Sequence, residues 1–179
     1  MNLYIGSLKL NKKGKKLTLK DKVSKIKLVL TDIDGVLTDG SLYYTDDGLV
    51  MKKFFVKDGM GAVLLKKNGI EVGIISSDTS ETTKARAARL NISLVYTGVQ
   101  DKSKVLEEIC FMTNFKPENI AYIGDDVNDL EIMKNVGLSA CPADAVPEII
   151  KIADYICNKA GGRGAFRELA DIILEADSN

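Results

Sequence analysis

The sequence has no histidine, only three cysteines and no long uninterrupted hydrophobic run. Cys110, Cys141 and Cys157 are odd in number and lack the spacing of metal ligands, so we interpret them as reduced thiols in the core of a cytoplasmic protein. Apolar stretches reach only strand length, and charged residues interrupt every longer window, which argues against a membrane span. The N-terminus also lacks the basic start and apolar stretch of a secretory signal.

Basic residues are scarce outside the N-terminal segment. Of the 25 basic and 25 acidic residues, seven lysines and one aspartate lie in residues 1–22, which leaves 18 basic and 24 acidic residues in the remainder. A net acidic body is a poor surface for nucleic acid, because phosphate backbones require a cationic face. The 179 residues suit one core. We therefore predict a basic extension over 1–24 and one domain over 25–179.

From Ile26 onward, strand-like and helix-like segments alternate. This order is typical of an α/β fold with a doubly wound, Rossmann-like parallel sheet and helices on both faces. The segment 41–56 differs, because two β-rich arms flank a turn at Asp46, Asp47 and Gly48, and it predicts an inserted β-hairpin. The hairpin has more apolar side chains than it can bury alone, and we expect them to pack against sister subunits. These side chains are Leu42, Tyr43, Tyr44, Met51, Phe54 and Phe55.

The stretch DIDGVLTDG, residues 32–40, follows the buried-strand pattern KIKLVLT. Two residues apart on extended backbone, Asp32 and Asp34 point the same way, and Gly35 allows a sharp turn after them. Two close carboxylates are costly without a cation. An all-oxygen site suits Mg²⁺, so the stretch predicts a magnesium site.

Further polar residues end the next predicted strands or begin the helices after them: Ser76, Lys102 and Asp125. In doubly wound sheets this edge binds ligands. The set fits phosphoryl transfer, with Asp32 as nucleophile and Asp34 as the acid and base. Asp125, with Asp32 and the backbone carbonyl of Asp34, would hold the metal. Ser76 and Lys102 would bind the phosphoryl oxygens.

Each of these residues also has a structural explanation when taken singly. Ser76 is an ordinary strand end, and Lys102 is an ordinary lysine at a helix start. Asp126 could cap the helix that follows it, and Asp129 could be a solvated side chain. The chemical interpretation is favoured by the occurrence of all the features in order, at matching strand ends.

These motifs resemble those of the haloacid dehalogenase superfamily of phosphohydrolases, from about Ile26 to the final helix. The first motif is DIDGVLTDG, the second Ser76, the third Lys102 and the fourth GDDVND. The sequences TDGSLYY, VKDGMG and GGRGAFRE are similar to the branch of phosphatases for 3-deoxy-D-manno-octulosonate 8-phosphate and for nine-carbon, sialic-type sugar-acid 9-phosphates. The intervals between motifs hold no cap domain. The resemblance implies a homotetramer with the hairpin at its centre.

The same resemblance implies a set of substrate contacts. They fall on the VKDGMG loop, on the residue two after the second motif and on the next helix: Lys57, Asp58, Gly59, Asp78, Arg86 and Arg89. A solvated helix face is the other explanation for Arg86. Arg163 in the GGRG segment is a further candidate, which would act in a neighbouring subunit's site.

The substrate stays open between a nine-carbon and an eight-carbon sugar-acid phosphate. The octulosonate enzymes tend to have Gly-Arg after the second motif, where this chain has Ser77 and Asp78. An acidic residue there slightly favours the nine-carbon acid. The site residues argue against two other functions. A non-catalytic oligomerising domain beside a sugar-nucleotide (CMP-sugar acid) synthetase should have lost its carboxylates, and a signalling receiver would not need Asp34.

Overall fold

The computed structural model describes residues 17–177, and its centre is a six-stranded parallel sheet. The strands lie in the order β5, β4, β1, β6, β7, β8. Their bounds are β1 Leu28–Thr31, β4 Glu71–Ile75, β5 Leu94–Tyr96, β6 Ile120–Ile123, β7 Leu138–Cys141 and β8 Tyr155–Ile156. The chain builds outward from β1 on one side as far as β5 and then crosses to β6 on the other. The predicted doubly wound α/β sheet is confirmed.

Within residues 17–177, seven α-helices connect or flank these strands. They are α1 Leu19–Val23, α2 Val56–Lys67, α3 Glu81–Arg89, α4 Lys102–Thr113, α5 Leu130–Asn135, α6 Pro147–Ile150 and α7 Ala165–Asp177. Alternate residues of β1 enter two separate cores, since Val29 packs on one face of the sheet and Leu28 and Leu30 on the other. Helices α2, α3 and α7 cover the first face, and α4, α5 and α6 cover the second. The central strand is therefore buried on both sides, as its continuous apolar run predicts.

The predicted hairpin is present, with β2 Tyr43–Thr45 paired antiparallel to β3 Gly48–Met51. Leu42, Tyr43, Tyr44 and Met51 are exposed, as the excess of apolar residues led us to expect. Phe54 differs, because it packs against the main core beside Arg86, and Phe55 is half-buried as well. The hairpin and α2 fill the interval between β1 and β4, and α3 fills the next one, which confirms the absence of a large cap.

The N-terminal extension lies mostly outside the described residues. Its last part forms α1, which begins with a capping box between Thr18 and Asp21 and packs against α7. Val23 enters the core, and Lys22 forms an ion pair with Asp154. The division at residue 24 stays a prediction. Among the described helices, none is long and apolar enough to cross a membrane.

Candidate active site

The predicted site residues lie where the strand order reverses, at the carboxyl ends of β1, β4 and β6. Asp32 follows β1, Ser76 follows β4 and Asp125 follows β6, and Lys102 is the first residue of α4. Because β1 pairs with both β4 and β6 in register, these ends are adjacent. The structure therefore brings together side chains that are up to 93 residues apart in the chain.

Asp32 and Lys102 form the buried centre of the site. The Lys102 Nζ donates to Asp32 Oδ2 at 2.7 Å, to Asp129 Oδ1 at 2.6 Å and to the Tyr122 hydroxyl at 3.1 Å. Burial lowers the pKa of Lys102, but Asp32 and Asp129 outweigh it and the net shift is upward, so the lysine is a fixed cation. Burial raises the pKa of Asp32 to about 6, although Lys102 opposes the shift.

Asp129 is a member of the site that sequence reasoning did not select. It is fully buried, so its interpretation as a solvated side chain is wrong. One carboxylate oxygen accepts from Lys102 and from the Tyr122 hydroxyl at 2.6 Å, and the other accepts from the Asp125 backbone N–H at 2.9 Å. Asp129 thus shapes the loop that presents Asp125. Its position four residues after Asp125 was the available signal.

Asp125 approaches the loop of residues 32–40 closely because residue 35 is glycine. A Cβ on Gly35 would lie 1.9 Å from Asp125 Oδ2, and the φ of +84° also favours glycine. Asp125 Oδ1 is buried without a hydrogen-bond partner among the described residues. Burial, followed by the charges of Asp32 and Asp129, raises the pKa of Asp125 to about 8. A cation at this position would offset the three causes of the shift and favour the charged carboxylate.

The carboxylates fit a divalent metal. Oxygens of Asp32, Asp125 and Asp129 lie within 4.8 Å of one another, and the unpartnered Asp125 Oδ1 leaves one ligand atom free. An all-carboxylate donor set suits Mg²⁺. The carboxylate of Asp34 points elsewhere, to Lys52 at 2.6 Å, so only its backbone carbonyl remains as the predicted ligand. The predicted set of Asp32, Asp34 and Asp125 stays a prediction.

Ser76 closes the site on the side of β4. It is buried, and its hydroxyl accepts from the Asp78 backbone N–H at 3.2 Å. Its own backbone N–H bonds Tyr96, and its carbonyl accepts from Val99, which fix the strand end. The hydroxyl hydrogen therefore remains available as a donor, and phosphate binding by Ser76 stays a prediction.

Asp78 is engaged within the chain. Its carboxylate accepts from Lys52 at 2.8 Å and from the Ser80 backbone N–H at 2.9 Å. Burial raises the pKa of Asp78, but the hydrogen bonds from Lys52 and Ser80 outweigh it and lower the pKa to about 2. Its predicted contact with a substrate hydroxyl must compete with these partners.

The VKDGMG motif forms a junction between three helices. Asp58, which is 1% exposed, accepts from the Arg167 backbone N–H at 2.9 Å and so caps the start of α7. A Cβ on Gly59 would lie 2.5 Å from Arg86 Nη2, so this glycine lets α3 pack on α2. Arg86 donates to the Phe55 carbonyl at 3.3 Å. These contacts explain the motif structurally, and a substrate role for Asp58, Gly59 and Arg86 stays a prediction.

Three other predicted residues lie on the surface. Lys57 is exposed in the first turn of α2, and Arg89 is exposed in the last turn of α3. Arg163 is exposed in the glycine-rich segment before α7. All three are accessible to a ligand or a neighbouring subunit, and their roles stay predictions.

The glycine pair before Arg163 packs directly on the loop of residues 32–40. A Cβ on Gly161 would lie 1.9 Å from the Gly35 carbonyl oxygen, and one on Gly162 would lie 2.5 Å from the Asp39 nitrogen. The Gly162 N–H donates to the Val36 carbonyl at 2.9 Å. The C-terminal segment therefore holds the loop that carries Asp32 and Asp34.

Comparison with known proteins identifies the family of this chain. The family model of haloacid dehalogenase-like hydrolases matches residues 64–169. The chain belongs to this family. It is 41% identical, over 155 residues, to the 3-deoxy-D-manno-octulosonate 8-phosphate phosphatase of Escherichia coli K12, which covers 87% of this chain and 82% of the relative. The resemblance that the motifs carry is confirmed.

Solved structures of haloacid dehalogenase-like relatives superpose closely on this chain. The octulosonate 8-phosphate phosphatase of Yersinia pestis has a TM-score of 0.87 at 38% identity, covering 89% of this chain and 86% of the other. The enzyme of Moraxella catarrhalis, solved with magnesium, phosphate and KDO, has a TM-score of 0.87 at 36% identity, covering 89% and 92%. A cobalt-bound form is known from Haemophilus influenzae, with a TM-score of 0.86 at 38% identity and coverage of 88% and 92%.

Proposed function

We propose that this chain is a Mg²⁺-dependent phosphatase that hydrolyses a sugar-acid phosphate through an aspartyl-phosphate intermediate. The observation that carries the proposal is the convergence of Asp32, Lys102 and Asp125 at one edge of the sheet, with Asp34 two residues after the nucleophile. Family membership supports the reaction class. The intact carboxylates argue against a non-catalytic oligomerising domain.

The proposed reaction has two steps. A carboxylate oxygen of Asp32 attacks phosphorus, and the bond from phosphorus to the ester oxygen breaks while Asp34 gives its proton to the departing alcohol. Asp34, now a carboxylate, takes a proton from a water molecule that attacks the same phosphorus. The bond to Asp32 then breaks and inorganic phosphate leaves. Lys102 and Ser76 hold the phosphoryl oxygens during both steps.

The metal would be held by Asp32, Asp125 and the backbone carbonyl of Asp34. When bound, Mg²⁺ supplies positive charge that reduces the repulsion between the nucleophile and the phosphate dianion. Asp129 supports this site through the backbone N–H of Asp125 and through Lys102.

The eight-carbon acid is the substrate that we favour. Two relatives with 36 to 41% identity are phosphatases of 3-deoxy-D-manno-octulosonate 8-phosphate, and one of them was solved with KDO. The sequence argument for a nine-carbon acid rests on Asp78, whose carboxylate is already held by Lys52 and Ser80. The comparison therefore outweighs that argument.

Assembly completes the proposal. The hairpin exposes Tyr44 at 65%, Val50 at 57% and Met51 at 48%, more apolar surface than a two-stranded ribbon favours in water. We place these residues in the contacts of a cytoplasmic homotetramer. Burying them between subunits would also cover the crevice that lacks a cap.

A phosphate-release screen over sugar-acid phosphates tests the function. With Mg²⁺ present, turnover of 3-deoxy-D-manno-octulosonate 8-phosphate should exceed that of nine-carbon acid 9-phosphates and of hexose phosphates. Chelation of the metal should remove the activity. If no phosphate monoester is hydrolysed in the presence of Mg²⁺, the proposal is wrong.

A further inference from the structure

A lysine outside the predicted motifs is buried beside the loop of residues 32–40. Lys52 follows β3, where segment 52–54 returns alongside that loop, and Thr38 forms a β-bridge with Phe54. The Lys52 side chain is 0% exposed, whereas the adjacent Lys53 is 53% exposed and pairs with Asp39. A buried ammonium group is costly unless anions surround it, so the position of Lys52 requires its partners.

Both partners of Lys52 are carboxylates at the mouth of the site. The Nζ lies 2.6 Å from Asp34 Oδ2 and 2.8 Å from Asp78 Oδ2. The same oxygen of Asp78 also accepts from the Ser80 backbone N–H at 2.9 Å. Among the described residues, the other oxygen of Asp34 accepts only one long hydrogen bond, from the Thr38 hydroxyl at 3.4 Å. Lys52 is therefore the main contact that fixes the carboxyl group of Asp34.

We infer that Lys52 is a positioning residue for Asp34, which it holds in the orientation that delivers a proton to the leaving alcohol. This inference rests on the proposed phosphatase function. Without Lys52, the carboxyl groups of Asp34 and Asp78 would lose the ammonium group that links them, and Asp34 would turn away from the ester oxygen. The ion pair between Lys52 and Asp34 also connects the end of the hairpin to the proposed general acid.

The test compares two leaving groups in Lys52→Met. A sugar alkoxide needs the proton from Asp34, whereas p-nitrophenolate leaves without one because its charge is delocalised. General acid catalysis is worth about 10² to 10⁴-fold, so kcat/KM for the sugar-acid phosphate should fall by about 100-fold or more. The value for p-nitrophenyl phosphate should fall by less than about 10-fold, since kcat/KM reports only the steps up to the aspartyl phosphate.

A double-mutant cycle shows whether Lys52 acts through Asp34. In an Asp34→Asn background, Lys52→Met should lower kcat/KM for the sugar-acid phosphate by less than about 2-fold, because the group that it positions is already absent. Lys53→Met is the matched control. It removes the neighbouring lysine and its ion pair with Asp39, and the ratio between the two substrates should stay as in the wild type.

An equal loss on both substrates, or additive losses in the cycle, would overturn the inference and leave Lys52 with a general structural role. Should Lys52→Met fail to fold by circular dichroism, Lys52→Arg keeps the buried charge and carries the same comparison. The larger, planar guanidinium group should again lower kcat/KM for the sugar-acid phosphate more than kcat/KM for p-nitrophenyl phosphate. An unchanged ratio of these two values would reject the inference. A wild-type chain without phosphatase activity would instead reject the proposed function.

Discussion

The carboxylate cluster and the hairpin are both unfavourable in an isolated chain, for opposite reasons. The cluster buries negative charge: Asp32, Asp125 and Asp129 crowd together, and Asp125 Oδ1 has no partner among the described residues. The hairpin exposes apolar surface, with Tyr44 and Val50 more than half accessible. Each imbalance indicates what would relieve it. A divalent cation would relieve the first and an apolar protein surface the second.

The comparison predicts that the two regions respond to different changes, and the largest effect belongs to the nucleophile. Asp32→Ala should lower kcat by at least about 10⁴-fold, within the range seen when a covalent nucleophile is removed. The exposed Glu131, which pairs with Lys134, gives the matched control, since Glu131→Ala removes a carboxylate from the surface. Retained turnover in Asp32→Ala, measured by phosphate release, would rule out the aspartyl-phosphate mechanism.

The second prediction concerns metal and pH. Burial raises the pKa of Asp32 to about 6 and that of Asp125 to about 8, whereas the pKa of an aspartate in the unfolded chain is about 3.9. Between these values the folded, metal-free chain binds more protons than the unfolded chain. Its free energy of unfolding should therefore fall as pH rises from about 4 to about 8.

Mg²⁺ should remove much of this loss. At one hundred times its Kd, the ion should stabilise the chain by about 2.7 kcal/mol, which thermal melts at pH 8 with and without Mg²⁺ would measure. Asp125→Asn is the matched control, because it keeps the shape and removes the charge. A wild-type stability that stays flat with pH and does not respond to Mg²⁺ would contradict the metal site.

The third prediction concerns the exposed apolar surface of the hairpin. Tyr44→Glu places a charge in the exposed apolar surface of the hairpin, and it should shift the proposed tetramer toward smaller species in light scattering. Phe111 on α4 is 90% exposed and lies on a different element, so Phe111→Glu tests whether any exposed apolar residue has the same effect. A wild-type chain that is monomeric at all concentrations would contradict the proposed homotetramer.

The sequence predicts the sheet and the main site residues because their signals are local. An apolar run that stops just before Asp32 or Asp125 indicates a strand, and it locates the carboxyl end of that strand to within a few residues. The parallel order then places these ends together. Asp129 was missed because a polar residue in a short helix usually faces solvent, and only the fold shows that it faces Lys102.

Long-range packing explains the other differences. Asp58 caps α7 from 109 residues away in sequence, a contact that no local pattern indicates. From the sequence alone, Lys52 is also indistinguishable from an ordinary solvated lysine at the end of a hairpin. Its burial depends on Asp34 and Asp78, which come from two other loops. Partners distant in sequence thus decide which charged residues are buried.

The smallest expected effect is on substrate choice. Asp78→Arg replaces a carboxylate that faces Lys52 with a cation near the mouth of the site, where it can bind a sugar acid's carboxylate. The ratio of kcat/KM between nine-carbon and eight-carbon acid phosphates should shift toward the shorter acid by up to about 10-fold, in line with about 1.4 kcal/mol of differential binding.

Asp78→Asn separates the two causes in this prediction, because it removes the negative charge without adding a positive one. If loss of the ion pair with Lys52 matters most, both variants should lower the activity on all sugar phosphates through Asp34, and the substrate ratio should not move. If the new cation matters, only the arginine variant should change the ratio. An unchanged ratio in Asp78→Arg would show that position 78 does not distinguish the two acids, and the sequence-based reason for a nine-carbon substrate would then be gone.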